Sequence, residues 1–325
     1  MDRLLQDLRH AARVLLKAPG FTFVAIFTLA VGIGANTAMF SIVDGVLLQG
    51  LPFRDAERLV DLNEVERAER NRGAIAPATF ADWRRLATTI QTMAAYQRRT
   101  FNVALSSGAP ERLAGAVTSS TFFDVLGVPP VLGRQFTRDD AEPGKGQNVV
   151  VSYGFWQRRL GGSNDAINQT VRLNGAPYTV IGVMPVTVNF PQDVDFWIPA
   201  AHDLPSMDPR DPRTVRDAHY LRAIGRMKAG QTLATVNAEF TTISDQLSAA
   251  YPDESAHFIA VARSLQDQLV GAARTPLLVL LGAVGCVLLI VVANVANLLM
   301  ARATVRAREL AIRAAVGADR AMLMR

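Results

Sequence analysis

An uncharged apolar run, Thr275–Ala301, constrains the fold more than any other stretch of the sequence. It reads TPLLVLLGAVGCVLLIVVANVANLLMA. A helix rises about 1.5 Å per residue, so a helix of this length crosses the roughly 30 Å hydrocarbon core of a bilayer. We therefore predict a membrane-spanning helix over residues 273–301.

The segment behind this run, RATVRARELAIRAAVGADR, is rich in arginine. Basic residues that flank a membrane helix stay on the cytoplasmic side. We therefore predict that residues 302–325 are cytoplasmic and that the preceding part of the chain lies outside. The sequence ends at Arg325 within this segment, and we expect the segment to be incomplete.

A first uncharged run, Ala18–Val43, follows the basic start of the chain. A cleaved signal peptide is the alternative, because it shares the basic start and the apolar middle, with small residues near Ala35 and Ala38. The run is longer than the apolar core of a usual signal peptide. This length favours an uncleaved membrane helix over residues 19–46.

Residues 1–18 have leucines at helical spacing, and Arg9, Arg13 and Lys17 fall largely on the opposite side. This pattern predicts a cytoplasmic amphipathic helix lying on the inner membrane surface. A helix of a soluble core is the alternative.

The net charge of +5 suggests nucleic-acid binding at first sight. Residues 1–20 carry a net charge of +2 and residues 302–325 one of +4, so the chain between them carries about −1. There is no basic surface for phosphates, and nucleic acid is excluded as a partner. The positive charge is instead a signal of membrane topology.

No sequence pattern indicates catalysis. Gly144-Lys145-Gly146 lacks the spacing and the hydroxyl of a phosphate-binding loop, and we expect a turn there. The four histidines have no ligand spacing, and the one cysteine, Cys286, lies inside an apolar run. We expect no metal, no cofactor and no enzymatic activity.

Residues 47–272 alternate between strand and helix signals. Asn174-Gly175 between VRL and YTVIGVM is the strongest hairpin signal, since both residues tolerate the positive φ of a type I′ turn. Further predicted strands are FNVALSS, ERLAGAVTS, VVVS, DFWIPA, HYLRAIGRM and FIAVARSL. The pattern predicts an α/β domain with a mixed or antiparallel sheet.

Three helices are predicted in the same domain. Thr79 and Asp82 form a capping-box pattern at the start of TFADWRRLA, and Thr121 begins a short helix that ends at Gly127. A longer helix after Gly230 carries one apolar face, formed by Leu233, Val236, Phe240, Ile243 and Leu247. The segment Asp203–Asp217 is rich in Pro, Asp and Arg and predicts an exposed loop.

Polar and small residues interrupt the two apolar runs. Asn36, Asn294 and Asn297 are amides that would seek hydrogen-bond partners in lipid, which favours bonds between helices over a role in a pore. Small residues three and four positions apart would let the helices approach closely. They are Thr28, Gly32, Gly34, Ala35 and Ala38 in the first run and Gly282, Gly285, Ala293 and Ala296 in the second.

In the basic tail, Glu309 and Arg313 are spaced as an i, i+4 pair, and Gly317 can end a helix. Such a helix could transmit force to a partner beneath the membrane. A plain positively charged anchor is the simpler alternative.

Several blocks resemble permeases of the MacB/FtsX type, the transmembrane subunits of one class of bacterial ABC transporters. The resemblance covers nearly the full length in the family's order. The blocks are APGFTFVAIFTLAVGIGANTAMFSIVDGVLL, FFDVLGVPPVLGRQF, VVVSYGFWQRRLGG, VRLNGAPYTVIGVMP and RARELAIRAAVGADR. The first block is most similar to large permeases, some of them duplicated.

The resemblance implies a membrane protein in which two transmembrane helices flank an α+β (mixed α/β) extracytoplasmic domain of the MacB periplasmic core type. It implies the N-terminal part of a permease with four membrane helices, located in the bacterial inner membrane with both termini in the cytoplasm. Its partners would be a separate cytoplasmic ATPase, a second permease copy, the lipid membrane and a periplasmic adaptor.

In such permeases, ATP hydrolysis by the partner moves the membrane helices, and the motion reaches the outer domain. By resemblance, Arg308, Glu309, Arg313 and Gly317 would contact the ATPase. A second class of function remains, because a span, an outer domain and a second span are also the layout of a membrane-anchored binding or sensory module.

Overall fold

The computed structural model describes residues 19–45, 50–67, 73–105, 109–145 and 147–315. The amphipathic helix predicted over residues 1–18 lies outside these ranges. The chain divides into a globular unit, Gly50–Leu269, and a helical unit formed by the residues on either side of it.

Seven α-helices occur in the described residues, and the first and last contain the predicted membrane spans. They are α1 (Pro19–Val43), α2 (Pro77–Leu86), α3 (Phe122–Leu126), α4 (Tyr153–Arg159), α5 (Leu233–Ala250), α6 (Pro252–Ser255) and α7 (Leu265–Ala315). Helix α7 extends beyond the predicted span at both ends.

The described residues contain ten strands, which form one sheet. They are β1 (Leu59–Glu66), β2 (Ile90–Ala104), β3 (Glu111–Thr118), β4 (Leu132–Gly133), β5 (Asn148–Val151), β6 (Thr170–Leu173), β7 (Ala176–Val183), β8 (Phe196–Pro199), β9 (Arg222–Met227) and β10 (Phe258–Ser264). The order is β10-β1-β9-β2-β3-β8-β5-β7-β4, and β6 pairs with both β2 and β7.

Because β6 joins β2 to β7, the strands β2, β3, β8, β5, β7 and β6 pair in a closed ring. The pairs β3·β8 and β5·β7 are parallel, and the other described pairs are antiparallel. The predicted mixed sheet is therefore confirmed.

Three apolar clusters fill the globular unit. One gathers the inward-facing residues of the ring, including Phe101 and Phe196, whose ring centroids lie 5.3 Å apart. A second packs α2 and α5 onto the sheet, with Trp83 and Phe240 meeting edge to face at 5.4 Å. The third surrounds Phe123. Burial on this scale is the main stabilising term of such a domain.

The strongest local signals are confirmed. Asn174 and Gly175 join β6 to β7 with φ values of 50° and 85°, as a type I′ turn requires. The helix predicted after Gly230 is α5, and four of its five predicted face residues are buried: Val236, Phe240, Ile243 and Leu247.

The prediction that a capping box at Thr79 begins the helix is wrong. Helix α2 begins at Pro77 with Ala76 as its N-cap, so Thr79 lies inside the first turn and is buried. Proline fits the first turn because the N–H it lacks has no partner within the helix there. Asp82 instead pairs with Arg216 at 2.5 Å and with Arg85 at 2.9 Å.

The edge strand β10 is covered by polar side chains of α5. The Asn237 amide accepts a hydrogen bond from the Ala262 N–H at 2.9 Å and donates one to the Ala262 carbonyl at 3.0 Å. Ser244 accepts a hydrogen bond from the Ala260 N–H at 2.8 Å. These contacts satisfy backbone groups that an open edge would offer to another chain.

The loop Asp203–Asp217 is less exposed than predicted. Leu204, Pro212 and Val215 are buried, and a short 3₁₀ turn occupies Pro212–Thr214. Ion pairs hold the loop, because its Asp and Arg residues alternate at a spacing that lets them pair within the loop.

Candidate functional site

In the part of the chain that the structure describes, two helices are long and apolar enough to cross a membrane. The candidate spans are Thr22–Val43, with a mean hydropathy of 1.8, and Ala273–Asn297, with 2.9. Large apolar side chains remain exposed along both, including Phe23 at 70% and Leu289 at 69%. A helix that is apolar all round and not covered by protein is typical of a membrane span.

Within the helical unit, the two spans contact each other at Gly32 of α1. A Cβ at this position would lie 3.3 Å from Cγ2 of Val291 and 3.4 Å from Cδ1 of Leu288. The absence of a side chain at Gly32 lets the α7 side chains approach the α1 backbone. The other glycines predicted to pack here have no neighbouring atom within 4 Å of such a Cβ: Gly34, Gly282 and Gly285.

Asn36 lies one turn further along α1. Its amide nitrogen donates to the Gly32 carbonyl at 2.9 Å and to the Val284 carbonyl of α7 at 3.2 Å. The predicted interhelical bond of Asn36 is therefore confirmed. Asn294 and Asn297 are exposed and have no hydrogen-bond partner among the described residues, so their predicted role as interhelical contacts stays a prediction.

The globular unit contains an open cavity of about 640 Å³ between α2, the start of β2 and the loop that begins at His202. Asp203 is one of the charged residues that line it. Its carboxylate pairs with Arg84 at 2.5 Å and accepts a hydrogen bond from the Ser120 N–H at 2.6 Å. His202 and Asp203 both adopt left-handed backbone conformations, with φ values of 57° and 59°.

These contacts fix the loop but do not assemble a reactive centre. The Asp203 carboxylate is ion-paired with Arg84. His202 is exposed and makes no hydrogen bond to a nucleophilic side chain in the described part of the chain. Among the described residues, no group of three or more His, Cys, Asp or Glu side chains could hold a metal ion. The cavity is open, and the contacts of Asp203 and His202 form no acid–base pair among the described residues.

The model of the family with a MacB-like periplasmic core domain matches residues 22–243, which is more than half of the chain. The chain belongs to this family. The resemblance to MacB/FtsX-type permeases is confirmed, and so is the fold class, a mixed α/β periplasmic-type domain flanked by two apolar helices.

A curated relative in the MacB family is the macrolide export ATP-binding/permease protein MacB of Chlorobium luteolum. It is 26% identical over an alignment of 325 positions, which covers 93% of this chain. The chain spans 46% of the length of that relative.

Solved extracytoplasmic domains are similar to this chain at low identity. The periplasmic region of MacB from Actinobacillus actinomycetemcomitans is 14% identical with a TM-score of 0.48, covering 67% of this chain and 94% of that one. The extracellular domain of the noncanonical ABC-type transporter YknZ from Gram-positive bacteria is 13% identical with a TM-score of 0.45, covering 63% and 99%. Family membership rests on the family model and not on these likenesses.

The residues predicted to contact an ATPase in a MacB-type permease lie at the end of α7. Arg308, Glu309 and Arg313 belong to its last helical turns, before Ala315. This is consistent with the i, i+4 spacing of Glu309 and Arg313 on a helix. Gly317 lies outside the described residues. Their role remains a prediction.

The sequence did not indicate the pairing of Arg84 with Asp203, which joins residues more than a hundred positions apart. One signal was available for the loop. Asp208 and Arg210, and likewise Asp211 and Arg213, are spaced two apart, and each pair forms an ion pair in the structure, at 2.7 and 2.6 Å.

Proposed function

We propose that the chain is the permease subunit of a MacB/FtsX-type ABC transporter, which couples ATP hydrolysis by a partner ATPase to movement of the extracytoplasmic domain. The observation that carries this proposal is the family match over residues 22–243, which begins inside the first apolar helix and covers the globular unit as far as α5. In this proposal, the motion of the membrane helices is transmitted to the extracytoplasmic domain (mechanotransmission), and it drives efflux or export of an envelope substrate.

We place the chain in the bacterial inner membrane as a multi-pass protein, with the globular unit outside and both termini in the cytoplasm. The supporting observation is the arginine bias: residues 302–325 carry a net charge of +4 directly after the second apolar helix. The positive charge of residues 1–20 supports a cytoplasmic position for the N-terminal end of the first apolar helix.

The proposed partners are a separate cytoplasmic ATPase, a second permease copy and a periplasmic adaptor. The relative from Chlorobium luteolum is described as both ATP-binding and permease protein, which supports an ATPase as the partner of this permease. Arg308, Glu309 and Arg313 are proposed to bind it, because an arginine-rich helix end at the membrane surface offers charge pairing to a partner.

A membrane-anchored binding or sensory module is the second candidate. The open cavity beside Asp203 favours it, because a sensor needs a ligand site in its outer domain. The two functions differ in their requirement for a nucleotide-hydrolysing partner.

The test is co-purification of the native full-length protein from cross-linked membranes of its host, with the bound proteins identified by mass spectrometry. We expect to recover an ABC-type ATPase, and we expect the permease to stimulate its hydrolysis of ATP. Arg313→Glu should reduce both recovery and stimulation. Arg222→Glu is the matched control, since Arg222 is an exposed arginine of the globular unit. Failure to recover or stimulate any ATPase would leave the sensory function as the better account.

A further inference from the structure

A second open cleft of about 480 Å³ lies in the globular unit, on the ring of strands. Its floor is apolar and is formed by Phe101 of β2, Val117 of β3 and Ile198 of β8. The loop Leu204–Pro212 forms one wall, and Tyr178 of β7 contributes a phenol. The volume is within the range of small-ligand sites, about 300–1,000 Å³.

Arg99 lies in this cleft, on the same strand as Phe101 and two residues before it. Side chains two apart on a strand point to the same face, so the guanidinium shares its face with the apolar floor. Val117 is paired in register with Gln97, and Ile198 with Val117, which places these three residues side by side on that face.

The Arg99 guanidinium is half-buried, and its hydrogen-bond acceptors among the described residues are both neutral. It donates to the Gln97 side-chain carbonyl at 2.7 Å and to the Ser206 backbone carbonyl. No carboxylate pairs with it in the described ranges of the chain. Burial lowers the pKa of Arg99, against an opposing effect of Tyr220. Burying a charge without a counter-ion is unfavourable, and an anionic ligand would relieve that cost.

The carboxylates around the cleft do not supply the missing counter-ion. Asp208 pairs with Arg210 at 2.7 Å, and Asp211 pairs with Arg213 at 2.6 Å. Each acid of the wall therefore pairs with the arginine two residues after it, and Arg210 also pairs with Asp217 at 3.0 Å. The floor of the cleft retains the uncompensated positive charge of Arg99.

We propose that this cleft binds an amphipathic monoanion, with its apolar body on Phe101, Val117 and Ile198 and its carboxylate on the Arg99 guanidinium. The Tyr178 hydroxyl is a further hydrogen-bond donor on the wall; burial raises its pKa, so it stays protonated at neutral pH. The site is distinct from the cavity beside Asp203, where Arg84 already has a carboxylate partner.

The inference goes beyond the proposed coupling to an ATPase, and its test contains no ATPase. The full chain in lipid nanodiscs is irradiated with 4-benzoylbenzoate, a photoreactive aromatic carboxylate, and the labelled peptides are mapped by mass spectrometry. The neutral 4-benzoylbenzamide is the matched probe, and nanodiscs without protein are the blank for lipid partitioning.

We expect saturable labelling of the cleft residues by the carboxylate, with competition by 4-phenylbutyrate. Arg99→Gln should raise the half-saturating concentration roughly 10- to 100-fold, the usual effect of losing one charge-assisted contact. Arg99→Lys should restore part of the affinity, and it keeps the test valid if Arg99→Gln fails to fold. Arg98→Gln, at the exposed neighbouring arginine on the opposite face of β2, should leave labelling unchanged.

Three outcomes would overturn the proposal. The amide could label the cleft as well as the carboxylate, which would show that charge plays no part. The folded Arg99 variants could bind like the wild type, or the label could fall outside the cleft. None of these results would bear on the ATPase, so the two proposals fail separately.

Discussion

The side-chain amide of Asn36 donates a hydrogen bond to the backbone carbonyl of Val284, 3.2 Å away on the other apolar helix. The same amide nitrogen donates to its own helix at the Gly32 carbonyl, so both of its hydrogens have acceptors. An amide in lipid finds no water, and this bond fixes where the two helices meet.

The contact at Gly32 predicts an asymmetry between two neighbouring glycines. Gly32→Leu should destabilise the helical unit by about 1–3 kcal/mol, because the new side chain collides with Leu288 and Val291. Gly34→Leu is the matched control, since a Cβ there has no neighbour within 4 Å. Thermal unfolding of both variants in one detergent measures the difference. Equal stability of the two variants would contradict the helix pairing.

Asn36→Leu tests the hydrogen bond itself. We expect a loss of about 0.6 kcal/mol, the average for interhelical hydrogen bonds in membranes, with an upper limit of about 1.7 kcal/mol. Asn294→Leu is the control, because Asn294 is exposed in the described pair of helices. A larger loss of stability for Asn294→Leu than for Asn36→Leu in the same detergent would show that the Asn36 hydrogen bond does not stabilise the helix pair.

Substitution of Arg226 should strongly destabilise the globular unit. This buried arginine of β9 donates to the Val125 carbonyl at 2.9 Å and the Leu126 carbonyl at 3.2 Å, the last carbonyls of α3. Arg226→Met would leave both without a partner, and we expect a loss of about 2–4 kcal/mol. Urea unfolding followed by tryptophan fluorescence reports it, since all three tryptophans lie in this unit. Arg222→Met, at the exposed first residue of the same strand, should have little effect.

Asp140 predicts a pH dependence of stability. Burial favours its neutral acid, but hydrogen bonds from Arg134 and Thr137 outweigh burial and lower the pKa of Asp140 to about 2. The stabilisation is therefore complete above about pH 4, the ordinary pKa of an aspartate. It is lost as the pH falls through about 2.

Asp140→Asn should lower the stability of the globular unit at pH 7 by about 1–2 kcal/mol, a figure reduced because Arg134 is half exposed. The wild type and the variant should converge as the pH falls toward 2. Asp139→Asn, at the exposed neighbouring position, should match the wild type at all pH values. A constant gap between wild type and Asp140→Asn would assign the loss to packing and not to charge.

Elements with local chemical signals were predictable from the sequence. Asn174-Gly175 specifies its turn by backbone conformation alone, and α5 shows its apolar face at every turn. Gly127, with a φ of 68°, ends α3 as predicted. Each of these signals is contained within a few neighbouring residues, which is why no tertiary information was needed.

Strand β1 was missed because its pattern does not alternate. Seven of its eight residues are buried, and Asp61, Asn63 and Glu64 are among them. Polar residues in a strand between two neighbours are stabilised by partners far away in the chain, such as His219, 3.3 Å from Glu64. The first eleven of the fifteen residues of β2, residues 90–100, were missed for a similar reason, since the pairing of this part with β9 is long-range.

The candidate sites were predictable only in part. Asn36 could be named because an amide stands out in an apolar run. Arg99 and Asp203 could not, because their significance depends on which charges come together on folding. Asp203 pairs with Arg84, whereas Arg99 has no carboxylate partner among the described residues. At Thr79 the sequence predicted too much: a short motif matched a capping box, but the helix begins at Pro77.

We propose that the two apolar helices cross a membrane, with the globular unit outside the cytoplasm and residues 302–325 inside it. The most direct test fuses alkaline phosphatase, active only outside the cytoplasm, or green fluorescent protein, fluorescent only inside, at the exposed Met207 and at Arg325. We predict phosphatase activity at position 207 and fluorescence at position 325. Fluorescence at 207, or phosphatase activity at 325, would contradict the topology and with it the proposed permease.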